Sequence, residues 1–308
     1  MGLLLLVLAT LMWSFVGILV KTASFMVDSW VVTFCRFFFG IVFLGIWLYW
    51  KEGKLTLLWK SGWIWFGAIG KTCNYIFENI AISIGYAYGN ILVMPLQTIF
   101  LLAVSILYFK EKVRGVHWLA TALCMAGVVL VSWNGEPPDE IFGLNMTISS
   151  LFVLAAAGAG AHVFAQKMMI DRYKNGEMNF SMFAIASMLT FLPLPFAGDM
   201  TGEFRFVSLV SLVLLGFITG ASFVITAAAL KMVPLSVTSI VMNMSVLFTL
   251  LWSWLFFREP ITGYVMAGAC LFVAGMLVLN LAERHPEQRS GRQPEMGYQG
   301  GRPIDPNC

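Results

Sequence analysis

Two segments of the chain repeat one pattern. Residues 109–131 read FKEKVRGVHWLATALCMAGVVLV, and residues 257–279, at an offset of 148, read FREPITGYVMAGACLFVAGMLVL. Each begins with Phe-x-Glu, has a glycine four residues after the glutamate, and continues as a long apolar run that contains Ala-Gly. Apolar runs of this length are typical of membrane-spanning helices. The pattern therefore predicts a duplicated unit that ends in such a helix.

The composition extends this prediction to the whole chain. Only 11% of the 308 residues are charged and 59% are hydrophobic, whereas an average soluble domain is about 25% charged and 45–50% apolar. The apolar runs are continuous, which excludes a β-barrel because barrel strands alternate with period two. The sequence predicts an all-α integral membrane protein with ten transmembrane helices. They cover residues 2–20, 29–50, 62–83, 86–109, 114–133, 147–166, 180–197, 206–230, 235–257 and 262–281.

The basic residues predict the orientation, because Lys and Arg concentrate in cytoplasmic loops. Of the nineteen, fourteen fall on one side of the predicted membrane and three, Lys21, Arg205 and Arg258, on the other. Arg36 and Lys71 lie within predicted helices. This split supports an even number of helices and predicts that both termini lie in the cytoplasm. The expected localisation is the plasma membrane.

Each half of the chain contains five predicted helices, so the second copy enters the membrane from the opposite side. The loop of the first copy is basic, with Lys110, Lys112 and Arg114, and its counterpart has Arg258 alone. Two inverted five-helix repeats around a central cavity are a plan of secondary transporters, which hold substrate near the midplane. The predicted units are a first repeat 1–133, a connecting loop 134–146, a second repeat 147–281 and a cytoplasmic tail 282–308. The polar composition of the tail predicts disorder.

The two Glu-containing loops, Trp13-Ser14 in the first helix, Arg36 in the second and the five-plus-five layout resemble the drug/metabolite transporter superfamily, specifically its EamA-type branch. The resemblance covers residues 1–281. It implies ten helices around a central cavity, alternating access, and exporters of amino acids and other small metabolites as typical members. It also implies a place for Trp13 at the cavity. The chain departs from the family in the third helix, which is usually apolar.

That third helix carries a polar face. Lys71, Asn74, Tyr75 and Glu78 are spaced i, i+3, i+4 and i+7, which places them on one side of an α-helix. A charge at the centre of a bilayer costs about 2.5–3.5 kcal/mol on insertion scales, and such residues normally face a cavity or a partner. The spacing therefore predicts a substrate-binding face. The aligned positions of the second half are uncharged: Thr219, Ser222, Phe223 and Thr226.

Helix depth suggests the neighbours of this face. Arg36 is expected at the depth of Glu78, where the two would form an ion pair. Asn90 and Gln97 of the fourth helix are expected opposite the polar face, also as substrate-binding residues. Lys71 then remains a cation without a counter-charge, able to attract a carboxylate or phosphate. Two alternatives stay open. In the first, Lys71 bonds to backbone carbonyls or to Gln97 and only stabilises the helix packing. In the second, Arg36 has a purely structural role.

In the sixth helix, His162 and Gln166 are i, i+4 neighbours. A histidine in the pathway is able to relay protons. Packing among the small residues of 155-AAAGAGA-161 is the role that the sequence favours for His162 and Gln166.

These observations predict an exporter of small polar metabolites with an anionic group, amino acids being the first guess. No catalytic residue, metal site, cofactor or nucleic-acid partner is expected; the partners are a small-molecule substrate and the lipid bilayer. A coupling proton on Glu78 and a homodimer through helices five and ten stay open.

Three alternatives remain, one within transport and two from other classes. An exporter of organic cations or drugs would use Glu78 with an aromatic cage of Trp13, Tyr75 and Tyr88. A lipid-modifying enzyme should show paired carboxylates or histidine clusters near an interface, where the sequence offers only Glu111 and Glu259 in loops, without evident partners. A lipid-moving protein would leave the polar face of the third helix unexplained.

Overall fold

The computed structural model describes residues 1–110, 115–135, 144–200, 202–230, 232–233 and 235–290. All regular secondary structure within these residues is helical. The helices are α1 Gly2–Ser14, α2 Val16–Ala23, α3 Ser29–Glu52, α4 Gly62–Ile84, a 3₁₀ helix Ala87–Leu92, α5 Val93–Leu107, α6 Gly115–Trp133, α7 Met146–Met169, α8 Asn175–Phe191, α9 Leu194–Ala197, α10 Phe206–Leu230, α11 Leu235–Asn243, α12 Ser245–Phe257 and α13 Gly263–Ser290.

Seven helical segments of the described chain are long and apolar enough to cross a membrane. They are Gly2–Ala23, Ser29–Glu52, Ala87–Leu107, Gly115–Trp133, Met146–Met169, Asn175–Phe196 and Phe206–Thr226, and two shorter apolar helices cover Val241–Phe257 and Gly263–Val278. Helix α4 has 23 residues and is long enough, but its polar face lowers its mean hydropathy. The chain is an integral membrane protein.

Three of the predicted continuous helices are interrupted, and the break in the seventh is described below. The first is interrupted at Phe15, between α1 and α2, and the ninth at Met244, between α11 and α12. Near the first break the carbonyl of Ser14 accepts a hydrogen bond from Thr249 Oγ1 at 3.2 Å. Its hydroxyl accepts one from Trp252 Nε1 at 3.0 Å. The interruption in the first half is thus joined to the helix that follows the interruption in the second half.

Small residues let pairs of helices approach closely. A Cβ added to Gly158 in α7 would lie 2.5 Å from the carbonyl oxygen of Gly70 in α4. A Cβ on Gly127 in α6 would lie 2.6 Å from the carbonyl oxygen of Gly268 in α13. Backbone contact of this kind is a common means of helix association in membranes. The run 155–161 therefore packs on α4, and α6 and α13 turn their glycines toward each other within one chain.

Two predicted boundaries differ from the structure. The seventh helix begins at Asn175 and ends at Phe191, and the short α9 follows it after Pro193, because proline removes a backbone donor and blocks continuation of a helix. Helix α13 continues to Ser290, past the predicted start of the tail at residue 282. That stretch begins with the good helix formers Ala282, Glu283 and Arg284. The rest of the predicted tail and most of the connecting loop lie outside the described residues.

Candidate functional site

A cavity of about 350 Å³ lies between the two halves of the chain. The second half contributes His162 and Gln166 from α7, Phe223 and Thr226 from α10, and Asn243 at the end of α11. The structure brings all eight predicted substrate-binding residues to this cavity: Trp13, Arg36, Lys71, Asn74, Tyr75, Glu78, Asn90 and Gln97. Their role in binding stays a prediction.

The polar face of α4 is held by its neighbours. Lys71, Asn74, Tyr75 and Glu78 are all buried, and the helical spacing places them on one side, as expected. Asn74 Nδ2 donates to the carbonyl of Ala155 on α7 at 3.0 Å. The Tyr75 ring stacks on Phe37 of α3, with the ring centroids 5.0 Å apart. These contacts orient α4 so that its polar side chains face the cavity.

The ion pair between Arg36 and Glu78 is present. Arg36 Nη1 lies 3.2 Å from Glu78 Oε2, and Arg36 Nε donates to Thr219 Oγ1 at 3.2 Å. The guanidinium carbon is 3.5 Å from the centroid of the Tyr75 ring, a cation–π contact. Arg36 is only 1% exposed and joins α3, α4 and α10. This arrangement favours a scaffold role for Arg36.

The Arg36→Ala variant is therefore expected to be less stable by about 3 kcal/mol, because removing one partner leaves a buried, uncompensated Glu78 carboxylate. The yield of folded protein and its melting temperature in detergent measure this loss. The double variant Arg36→Met, Glu78→Gln removes both charges and should recover part of it. A double variant as unstable as Arg36→Ala would mean that the charge of Glu78 is not the cause.

Lys71 differs from Arg36 because it forms no ion pair with any described carboxylate. Its Nζ donates to Asn74 Oδ1 at 3.0 Å and lies 4.3 Å from the centroid of the Tyr75 ring. Among the described residues, no carboxylate oxygen comes within 4.0 Å of this nitrogen. The packing alternative with Gln97 is not seen, since the hydrogen bond goes to Asn74. A buried ammonium with neutral neighbours is a ready site for an anion.

The residues that line the cavity also include buried polar atoms for which the described part of the chain shows no hydrogen-bond partner. Burial of such an atom costs about 1–3 kcal/mol, so a wall with several of them suits a polar ligand. They are Tyr75 Oη, Asn90 Oδ1, His162 Nε2, Thr226 Oγ1 and Asn243 Nδ2. Three of these residues, His162, Thr226 and Asn243, were not among the predicted site residues. Their place in the cavity wall depends on how the two halves pack, which the spacing of residues along one helix does not show.

The aromatic cage expected for a cation exporter is not assembled. Trp13 and Tyr75 line the cavity, but Tyr88 does not; its ring stacks on Tyr86, with the centroids 5.1 Å apart. Glu78, the expected binding charge, is bonded to Arg36. Both findings favour an anionic group over a cation as the part of the substrate that α4 recognises.

The expectation that the loop carboxylates lack partners is wrong for Glu259. It is 4% exposed, forms an ion pair with Lys21 and accepts hydrogen bonds from the backbone N–H of Ala87 at 2.8 Å and of Tyr88 at 3.4 Å. Lys21 Nζ also donates to the carbonyl of Gly85 at 2.7 Å. Glu259 therefore holds the start of the 3₁₀ helix, away from the cavity. Its counterpart Glu111 lies outside the described residues.

The comparison with protein families is consistent with this architecture. The EamA-like transporter family matches residues 1–133 and again residues 146–281. The chain belongs to this family. As a member of the EamA-like transporter family, it is a transporter.

Individual proteins that resemble this chain have low sequence identity to it. The chain is 23% identical to the pseudopaline exporter CntI of Pseudomonas aeruginosa strain UCBPP-PA14 over an alignment of 291 residues. The alignment covers 92% of this chain and 97% of that protein. The same values hold for CntI of the PAO1 strain. A solved crystal structure of a protein 16% identical in sequence has the same fold, with a TM-score of 0.66 over 92% of this chain and 98% of its own.

Proposed function

We propose that this EamA-family protein is a secondary transporter that exports small polar metabolites with an anionic group, amino acids or related compounds, by alternating access. The observation that carries the proposal is Lys71, a buried ammonium in the cavity wall with no carboxylate within 4.0 Å in the described residues. A substrate carboxylate would supply the missing charge. The relationship to an exporter at 23% identity supports export of a small metabolite in general.

The proposed architecture is ten transmembrane helices in two inverted repeats, residues 1–133 and 147–281. In this layout α1–α2 and α11–α12 each form one interrupted span. Contacts that recur between corresponding helices support the repeat. In the proposed repeat α4 corresponds to α10, α3 to α8, and α1 to α7. The contact of α4 with α7 therefore corresponds to the contact of α10 with α1, and the contact of α3 with α10 corresponds to the contact of α8 with α4. A pseudo-two-fold axis in the membrane plane would relate the members of each pair.

The proposed orientation places both termini in the cytoplasm of a cell with this protein in its plasma membrane. The Lys21–Glu259 ion pair then lies at the outer end of the bundle. The cavity extends to Asn175, the first residue of α8, next to a loop whose basic residues predict a cytoplasmic position. A cavity that reaches this end is suited to take up substrate from the cytoplasm, as an exporter must.

A thermal-shift screen of the detergent-purified protein tests the function. Carboxylate-bearing, zwitterionic and cationic metabolites are added separately; a ligand at 100 times its dissociation constant stabilises the native state by about 2.7 kcal/mol. We expect carboxylate-bearing solutes to raise the melting temperature of the wild type. Stabilisation by cations alone, lost in Glu78→Gln, would contradict the proposal and favour drug export.

A further inference from the structure

The ion pair between Lys21 and Glu259 joins the two halves of the chain at one end of the bundle. Lys21 Nζ also donates to the carbonyl of Gly85 at 2.7 Å. The Glu259 carboxylate accepts from the backbone N–H of Ala87 at 2.8 Å. The Lys21–Glu259 pair, here called the outer ion pair, therefore ties α2, the start of the 3₁₀ helix and the segment after α12 to one another.

The cavity stops short of the outer ion pair. Val16 of α2 lines the cavity, whereas Val20, one turn nearer to the ion pair, is fully buried. In the same way Ile91 of the 3₁₀ helix lines the cavity, and Ala87 at the start of that helix is fully buried. Val16, Val20 and Ile91 belong to one packed apolar cluster. Apolar packing thus separates the cavity from the outer ion pair, whereas at its other end the cavity extends to Asn175.

Both partners of the outer ion pair are attached to short helices that begin at an interruption. Helix α2 begins after Phe15 and carries Lys21. Helix α12 begins after Met244, and the backbone N–H of Glu259 donates to the carbonyl of Ser253 in that helix at 3.4 Å. Both interruptions lie beside residues of the cavity wall. Hinge motions are absorbed by a few residues at the ends of elements, so α2 and α12 are placed to tilt about these two points.

We propose that the outer ion pair is the extracellular gate of the transporter. It holds the outer end closed while the cavity is open to the cytoplasm, and it separates before substrate leaves outward. This inference rests on the proposed function, which supplies the orientation and alternating access. When the outer end opens, water hydrates both charges, so the pair separates without leaving a buried, unpaired charge. The strength of the pair then determines how rarely the cavity opens outward.

Labelling of a thiol introduced at position 91 measures this opening. A charged, membrane-impermeant methanethiosulfonate is applied to the outer face of right-side-out membrane vesicles that contain the full-length Ile91→Cys protein. The same protein without Ile91→Cys gives the background from the native cysteines. We expect slow labelling while the outer ion pair is intact, because the apolar cluster and the ion pair lie between the reagent and the thiol.

The double variant Lys21→Met, Glu259→Gln is then combined with Ile91→Cys. It removes both charges, so that neither is left buried without a partner, and the glutamine oxygen can still accept from the N–H of Ala87. Labelling from the outside should become about tenfold faster, which corresponds to a shift of about 1.4 kcal/mol toward the open state. An unchanged rate would overturn the inference.

Two controls separate opening of the gate from loss of structure. Glu52→Ala breaks the exposed ion pair with Lys174 and should leave the labelling rate at position 91 unchanged. Native Cys124 is buried, with its Sγ against the carbonyl of Phe272, and should stay unlabelled in the double variant. Faster labelling in Glu52→Ala, or labelling of Cys124 at the rate of position 91, would mean general loosening and would overturn the inference.

Rapid labelling with the outer ion pair intact would also overturn the inference, because the cavity would then open outward without separation of the pair. No step of this experiment requires a substrate. Its outcome is therefore independent of the thermal-shift screen, which tests whether the protein recognises carboxylate-bearing solutes.

Discussion

Replacing Lys71 with methionine is expected to reduce export on the order of a hundredfold while leaving the fold intact. Methionine has nearly the shape of lysine without its charge, so the contact with the Tyr75 ring is kept. The substrate carboxylate loses its counter-charge, and loss of one partner of a buried charge pair costs about 2–5 kcal/mol. The measurement is efflux of radiolabelled solutes from proteoliposomes.

The stability of the same variant separates binding from packing. A buried ammonium without a counter-charge costs free energy in the empty protein, so Lys71→Met should melt at the same temperature as the wild type or a higher one. Lys54→Met removes an exposed lysine outside the cavity and serves as the control for net charge. Normal efflux by a well-folded Lys71→Met protein would remove the centre of the proposed function. A marked fall in its melting temperature would favour the packing role instead.

The Glu259→Ala variant is expected to lose about 3 kcal/mol of stability, the largest loss that we predict outside the cavity. The substitution leaves the Lys21 charge without its partner in a half-buried position and removes the acceptor for the backbone N–H groups of Ala87 and Tyr88. Removing one member of a buried ion pair costs more than the pair contributes, because the other charge stays behind. Thermal unfolding in detergent measures the effect.

A second ion pair of the same chain provides the control. Glu52 accepts from Lys174 at 3.0 Å, but Lys174 is 66% exposed, and exposed ion pairs contribute little. Glu52→Ala should leave the melting temperature nearly unchanged. The nearby carboxylate raises the pKa of Lys174, although this ammonium is charged at neutral pH in any case. Equal melting temperatures for Glu259→Ala and Glu52→Ala would show that burial of Glu259 does not matter for stability.

Lys71 and Glu259 are both charged residues in an apolar chain, but they differ in the partners that the structure gives them. Lys71 has no carboxylate within 4.0 Å among the described residues, and we propose that a substrate carboxylate supplies the missing charge. Glu259 is satisfied by an ion pair and by backbone donors from a distant helix. The difference between their partners in the structure is the reason for proposing a binding role for Lys71 and a structural role for Glu259.

Much of the fold follows from local patterns in the sequence. Continuous apolar runs predict where the helices lie, because a helix satisfies its own backbone hydrogen bonds and needs only enough apolar residues to span the bilayer. The period of the α-helix likewise places Lys71, Asn74, Tyr75 and Glu78 on one face. The partnership of Arg36 with Glu78 could be predicted because both depths follow from position along a helix. These properties depend on neighbours within one or two helices.

The contacts between the two halves of the chain depend on the tertiary structure. Thr219 joins the Arg36 network from α10, His162 reaches the cavity from α7, and Glu259 finds Lys21, 238 residues earlier. It also decided the interruptions at Phe15 and Met244, where backbone and hydroxyl groups of Ser14 bond to side chains of α12. The spacing of residues along one helix shows which of them share a face. Which other helix that face contacts depends on the packing of the whole bundle. Local patterns therefore predict a bundle of membrane helices with one charged face, whereas the packing of the bundle shows that Arg36 has a carboxylate partner and that Lys71 has none within 4.0 Å among the described residues.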